Sequence, residues 1–209
     1  MREKQTADLL LSINAVTLQP EDPFTWSSGI KSPIYCDNRL IMSYPAERQK
    51  FIDLFVSYIK DHFPEVEVLA GTATAGIPHA AWIADRLDLP MVYVRSSSKG
   101  HGKQNRIEGK LNKGKRVLVI EDLISTGGSS IEAAKSVEDA GGKVLGICSI
   151  FTYELPLAEK AEKESGYSLH SLTTYSFLLK TALENKQITD EQLKLLQQWR
   201  EDPEGWMSV

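Results

Sequence analysis

Cysteine is scarce in this sequence. Only Cys36 and Cys148 are present, far apart and at no spacing used by metal or redox sites. Long apolar runs are missing too. The N-terminal stretch "MREKQTADLLLSINAV" offers only Leu9 to Leu11 before Ser12 and Asn14 intervene. That is too short for the core of a signal peptide and far too short to span a membrane. Basic charge is in the minority, 24 Lys and Arg against 28 Asp and Glu, for a net charge of −4. This argues against a general binder of nucleic acid or of anionic membranes. Repeats, low-complexity tracts and evident linkers are absent as well. The expectation is a cytoplasmic protein with reduced thiols, whose 209 residues, 42% of them hydrophobic, suffice for one globular domain.

What is present is alternation. Leu9, Leu10, Ile13 and Val16 fall on helical spacing, so a helix is predicted over about residues 3–16. The segment "QPEDPFTWSSGIKSPIYCDNR" holds three prolines and a glycine and suits short extended pieces joined by turns. A helix over residues 45–62 would bury Phe51, Phe55 and Ile59. Strands then alternate with helices: strand 67–71, helix 77–87, strand 91–94, strand 117–120, helix 129–140 and strand 144–151. Several of these strands are continuously apolar, which implies an α/β protein with a mainly parallel sheet covered by helices on both faces. Ligands of such sheets bind beyond the C-terminal ends of the strands, where the strand order reverses.

One such strand end reads "RVLVIEDLISTGGSSIEAAKSVEDAGG", from Arg116 to Gly142. Ser125 or Thr126 can cap the helix that follows, leaving the amides of Thr126, Gly127, Gly128 and Ser129 free to point at an anion. Gly127 and Gly128 remove side chains that would block a phosphate. No Gly-Lys-Ser/Thr follows, so the turn is not a Walker loop, and no Gly-x-Gly-x-x-Gly marks a dinucleotide site. Two anions, Glu121 and Asp122, precede this anion cradle. They make sense if the phosphate belongs to a sugar, whose hydroxyls are donors for carboxylates and whose ring develops positive charge in a transfer reaction.

Here "VLVIEDLISTGGS" resembles the phosphoribosyl pyrophosphate-binding motif of type I phosphoribosyltransferases. Three more segments resemble those of orotate phosphoribosyltransferases: "FTWSSGIKSPIYCDNR", like the orotate-side segment; "GTATAGIPHAA", like the diphosphate-side loop; and "VRSSSKGHGKQNRIEG", like the catalytic loop. The resemblance runs over about residues 6–150. It implies the type I phosphoribosyltransferase fold, with a small N-terminal hood over about residues 1–40 and a mobile catalytic loop over about 96–109. It also implies orotate and phosphoribosyl pyrophosphate as substrates, Mg2+ as cofactor held mainly through substrate, and a homodimer in which each loop serves the neighbouring subunit. Carried over by position, phosphoribosyl pyrophosphate would be held by Arg95, Lys99, His101, Glu121, Asp122, Leu123, Ile124, Ser125, Thr126, Gly127, Gly128 and Ser129. Lys99, His101 and Asp122 would act in catalysis, and Ser125, Lys31 and Tyr35 would meet orotate.

The chemistry asks for the same things. Breaking the ribose C–O bond leaves an oxocarbenium-like sugar and a highly charged diphosphate, so leaving-group charge must be stabilised and the incoming nitrogen held. Arg95, Lys99, His101, Lys103 and Arg106 supply cations on a Gly- and Ser-rich stretch suited to a lid. The chain departs from the family pattern at Ser27, Ala75 and Tyr153, where many members carry basic residues. His62 and His79 are expected as packed or surface residues, Trp82 as core, Cys36 as an inert thiol, and the two C-terminal tryptophans as covers for an apolar patch. Two other functions stay open on the residues: transfer to a different base, and a non-catalytic sensor of phosphoribosyl pyrophosphate. No basic helix-turn-helix segment precedes the fold to favour the sensor.

Overall fold

A computed structural model describes residues 1–26, 29–96 and 106–206. In chain order the elements are α1 (Arg2–Ser12), β1 (Val16–Leu18), β2 (Phe24–Thr25), β3 (Lys31–Ser32), β4 (Ile34–Cys36), a 3-10 helix (Asn38–Ser43), α2 (Pro45–His62), β5 (Val68–Thr72), α3 (Gly76–Leu87), β6 (Met91–Val94), β7 (Ile107–Glu108), β8 (Arg116–Ile120), β9 (Leu123–Ile124), α4 (Gly128–Asp139), β10 (Lys143–Thr152), α5 (Pro156–Ser165), β11 (Leu169–Thr174), α6 (Tyr175–Glu184) and α7 (Asp190–Glu201). The predicted helix over 45–62 matches α2, with Pro45 in its first turn and Phe51, Phe55 and Ile59 buried. The first helix is shorter than its apolar spacing suggested. It stops at Ser12, Asn14 takes a left-handed φ of 54°, and Val16 begins β1 instead. Helical spacing could not register that break, because Ile13 and Val16 are buried either way.

The main sheet runs β11-β10-β8-β5-β6-β7, with β9 also on β10. All its pairs are parallel except β6 with β7. Strand β8 is buried along Val117 to Ile120, and its side chains alternate between two apolar clusters. Leu118 and Ile120 join the layer of α1, α2, α3 and α6; Val117 and Val119 join the layer of α4. A strand covered on both faces can afford no polar face, which is why it reads as an unbroken apolar run. From β5 the chain adds β6 on one side, then returns to place β8 on the other. Strand order therefore reverses between β5 and β8, and their C-terminal ends open the crevice expected of such a sheet.

Two small antiparallel sheets lie outside this frame. β1 pairs with β4 and β2 with β3, all within the N-terminal segment. The C-terminal elements were not legible as a pattern. β11 closes one edge of the sheet, and α7 begins with a full capping box, Thr189 and Gln192 exchanging bonds with each other's backbone. No helix among the described residues is long and apolar enough to cross a membrane.

Candidate active site

Strands β5 and β8 deliver the first two pieces of the site side by side. The loop after β5, residues 73–75, turns directly into α3 at Gly76. A Cβ on Gly76 would lie 2.4 Å from the Ile120 carbonyl oxygen. Only glycine allows the diphosphate-type loop to press this closely on the end of β8. Ala75, where the family pattern often has a lysine, sits at this junction as the residue before α3.

Glu121 and Asp122 follow β8 at the mouth of the crevice. Glu121 is buried, and Asp122 is partly so. Burial and the adjacent Asp122 charge push the Glu121 carboxyl up to about 9. Burial raises Asp122 too. The Asp122 amide donates to Glu121 Oε1 at 3.1 Å, and the Thr72 hydroxyl lies close enough to favour the charged form slightly. Both carboxyls are thus pushed toward the neutral form, so the pair favours a shared proton until a positive group enters.

Beyond β9 the chain makes the glycine turn. Neither Ser125 nor Thr126 caps α4, contrary to the sequence expectation. The N-cap is Gly127, in a left-handed conformation at φ 80°, with no side-chain cap. With Gly127 in the N-cap place, Thr126 and Ser125 stand one and two residues ahead of it. The consequence strengthens the cradle: among the described residues the amides of Thr126, Gly127, Gly128 and Ser129 have no hydrogen-bond partner. Thr126, Gly128 and Ser129 are exposed, while Gly127 is buried against Leu169, Ile131 and Ala161. Free amides at a helix N-terminus favour an anion.

The stem of the expected loop enters from β6. Arg95 follows that strand; its Nη1 is buried without a hydrogen bond and lies 3.7 Å from the Glu108 carboxylate. Lys99, His101 and Lys103 lie outside the described residues. Ile107–Glu108, within the range assigned to the loop, pair with β6 as strand β7, so the far stem belongs to the sheet edge. Arg106, expected among the diphosphate cations, makes contacts within the protein. It donates to the carbonyls of Arg95 (2.8 Å) and Ser96 (2.9 Å) and to Glu132 of α4 (3.2 Å), tying the two stems together.

The base side is assembled from distant parts. Buried Asn38 donates from Nδ2 to the Asp122 carbonyl at 2.7 Å and accepts from the Cys36 thiol at 3.4 Å. Burial pushes that thiol well above its ordinary range, in keeping with an inert cysteine. Tyr35 is 44% exposed, and Lys31, also exposed, donates to the Thr25 hydroxyl at 2.8 Å. Ser27 lies outside the described residues. Tyr153 is buried among Trp26, Phe151 and Trp199, so it fills the place of a basic residue with packing rather than charge. Sequence reading missed Asn38 and Trp199. Asn38 sits inside the orotate-side segment, which was a usable signal; Trp199 had none. The histidines behave as expected: His79 is buried, lowered to about 4 by burial, and exposed His62 stacks on Tyr58. Trp82 is only half-buried, under the Arg48 guanidinium.

A switch-point crevice with a glycine phosphate turn, a paired acid and a diphosphate-type loop defines a phosphoribosyltransferase, and residues 41–182 match the family model for the phosphoribosyl transferase domain. The chain is 58% identical over 204 residues to the orotate phosphoribosyltransferase of Halalkalibacterium halodurans, covering 97% of each. It is similar to the crystal structure of orotate phosphoribosyltransferase from Aeropyrum pernix, with a TM-score of 0.75 at 29% identity over 85% of this chain and 98% of that one. It is also similar to Leishmania donovani UMP synthase, with a TM-score of 0.79 at 27% identity, covering 94% of this chain and 42% of that longer one. The chain belongs to the orotate phosphoribosyltransferases.

Proposed function

We infer that this enzyme transfers the ribose 5-phosphate group of phosphoribosyl pyrophosphate to orotate, giving orotidine 5'-monophosphate and pyrophosphate, a step of pyrimidine biosynthesis. The observation that carries the reading is the unpartnered amide turn at 126–129 standing next to the Glu121–Asp122 pair at the switch point. Anion cradle and carboxylates at that spacing suit one ligand with a phosphate at one end and a ribose beside it.

The roles follow from the chemistry. The amides and hydroxyls of Ser125, Thr126 and Ser129, with Gly127 and Gly128, hold the 5'-phosphate, while Leu123 and Ile124 set the backbone between turn and acids. Asp122 stabilises positive charge on the ribose as the C–O bond lengthens, and Glu121 accepts from its amide beside it. Arg95, Lys99 and His101 take the growing charge of the diphosphate. Ser125, Lys31 and Tyr35 line the base side under the hood of residues 1–40. Among the described residues no three His, Cys, Asp or Glu side chains could together hold a metal ion. Two adjacent carboxyls, Glu121 and Asp122, suit a magnesium ion that would keep most of its shell from substrate oxygens and water. Bound so, magnesium would neutralise the diphosphate. The family resemblance supports a cytoplasmic homodimer in which the loop over about residues 96–109 serves the partner's crevice.

A base panel tests the reading. Orotate should be consumed only with phosphoribosyl pyrophosphate and a divalent cation present, and faster turnover of adenine, guanine or uracil would overturn the substrate while leaving the family intact.

A further inference from the structure

The base-side hairpin cannot support itself. Strands β2 and β3 pair at only Phe24 with Ser32 and Thr25 with Lys31, and the turn between them closes through Trp26 N–H to the Ile30 carbonyl at 2.9 Å. A two-stranded unit of this size is not stable alone in water. Its position must come from what it packs on.

That support is an aromatic box built at the other end of the chain. Trp199 of α7 is fully buried. Its indole Nε1–H donates to the Lys31 carbonyl at 3.0 Å, across 168 positions of sequence. Its ring meets Trp26 edge-on at 5.6 Å, Tyr153 edge-on at 5.8 Å and Tyr175 at 5.6 Å; Trp26 in turn lies 5.4 Å from Tyr153. One side chain thus grips both strands of the hairpin, β3 by a hydrogen bond and the end of β2 by ring contact. The box is itself held by Tyr175, whose hydroxyl donates to the Leu196 carbonyl at 2.9 Å on the same helix as Trp199. Tyr153 and Phe151 come from the end of β10, the strand that also pairs with β9 beside the acids. The box therefore references the hairpin to the catalytic end of the sheet.

We propose that Trp199 is a positioning residue for the base: through the Lys31 carbonyl and Trp26 it sets the height of the orotate-side segment over the ribose. This rests on the reading of residues 24–38 as the orotate side. It also accounts for Tyr153 in a basic position, since an aromatic ring there completes the box. The phosphoribosyl side, built from β8 and α4, makes no contact with Trp199 through these bonds, so the two substrates should respond differently.

Trp199→Phe keeps most of the ring and removes the N–H donor. The KM for orotate should rise about five-fold, the weight of one neutral hydrogen bond, while the KM for phosphoribosyl pyrophosphate stays unchanged. Both constants unchanged, or both raised alike, overturns the proposal. Wild-type turnover of orotate in the same assay tests the functional reading separately. Should the variant fold poorly, the wild-type enzyme still decides, because a bond coupled to base binding must be strengthened by the base in return. Exchange of the Trp199 indole proton, followed by NMR, should slow with orotidine 5'-monophosphate and not with ribose 5-phosphate. Equal slowing by both, or by neither, refutes the role.

Discussion

The phosphoribosyl side of the crevice comes from one uninterrupted run, β8 through the first turn of α4. The base side is gathered from a short hairpin, Asn38, the end of β10 and a helix near the C-terminus. In the first, the proposed binding would be done by backbone geometry, and neighbours in sequence are neighbours in the crevice. In the second, each part depends on a contact with another element. A contiguous turn tolerates change elsewhere in the molecule, whereas a gathered surface moves whenever one of its supports is altered. The comparison can be broken, or sharpened, by testing each side in turn.

The largest effect is expected at Asp122. Asp122→Asn keeps the size and removes the charge beside the ribose, so kcat/KM should fall on the order of 10³-fold, with weaker phosphoribosyl pyrophosphate binding as well. Retention of wild-type turnover would show that the ionised acid is not the one at the ribose. Lys99→Ala comes next, at about 10²-fold in kcat and with a smaller change in ground-state affinity, because its contact forms mainly as diphosphate charge develops. Refolding the two variants together tests the shared site. About half the dimers are then mixed, each with one intact pairing of loop and crevice, so about a quarter of wild-type activity should return. No recovery, with mixed dimers verified by mass, excludes a loop acting across the dimer.

On the gathered side, Asn38→Leu breaks the tie between the hood and the Asp122 carbonyl. It leaves that acceptor unpaired, at about 1–3 kcal/mol, so turnover should drop roughly tenfold while the turn at 125–129 still binds ribose 5-phosphate normally. Calorimetric titration with ribose 5-phosphate separates the two sides directly. An equal loss of both would mean the crevice is one unit.

The last effect is on stability, read as a slope with pH rather than as a rate. Glu121 is raised to about 9 in the fold, against about 4.5 when unfolded, so between those values the native state holds a proton that the unfolded chain lacks. Its contribution is fully present below about pH 4.5 and is lost as pH rises toward 9, with a slope of at most ~1.4 kcal/mol per pH unit. Glu121→Gln should flatten the decline in urea-unfolding free energy over that window. An unchanged slope would place the proton elsewhere.

Much of this protein could be read from its residues alone. The alternation of apolar runs with amphipathic spacing dictates a parallel sheet under helices, because a strand buried on both faces has no polar side to show. The acids, the glycine turn and its helix are fixed in register by covalent neighbours, so their joint chemistry is a local property. Only the tertiary structure decided which strands flank the crevice, that Gly127 rather than Ser125 or Thr126 is the N-cap of α4, and that Arg106 ties the two stems. It likewise decided that burial raises the Glu121 carboxyl and that Trp199 bears on Lys31. Such facts depend on burial and on contacts between residues remote in the chain, and no local propensity encodes where a buried side chain finds its partner.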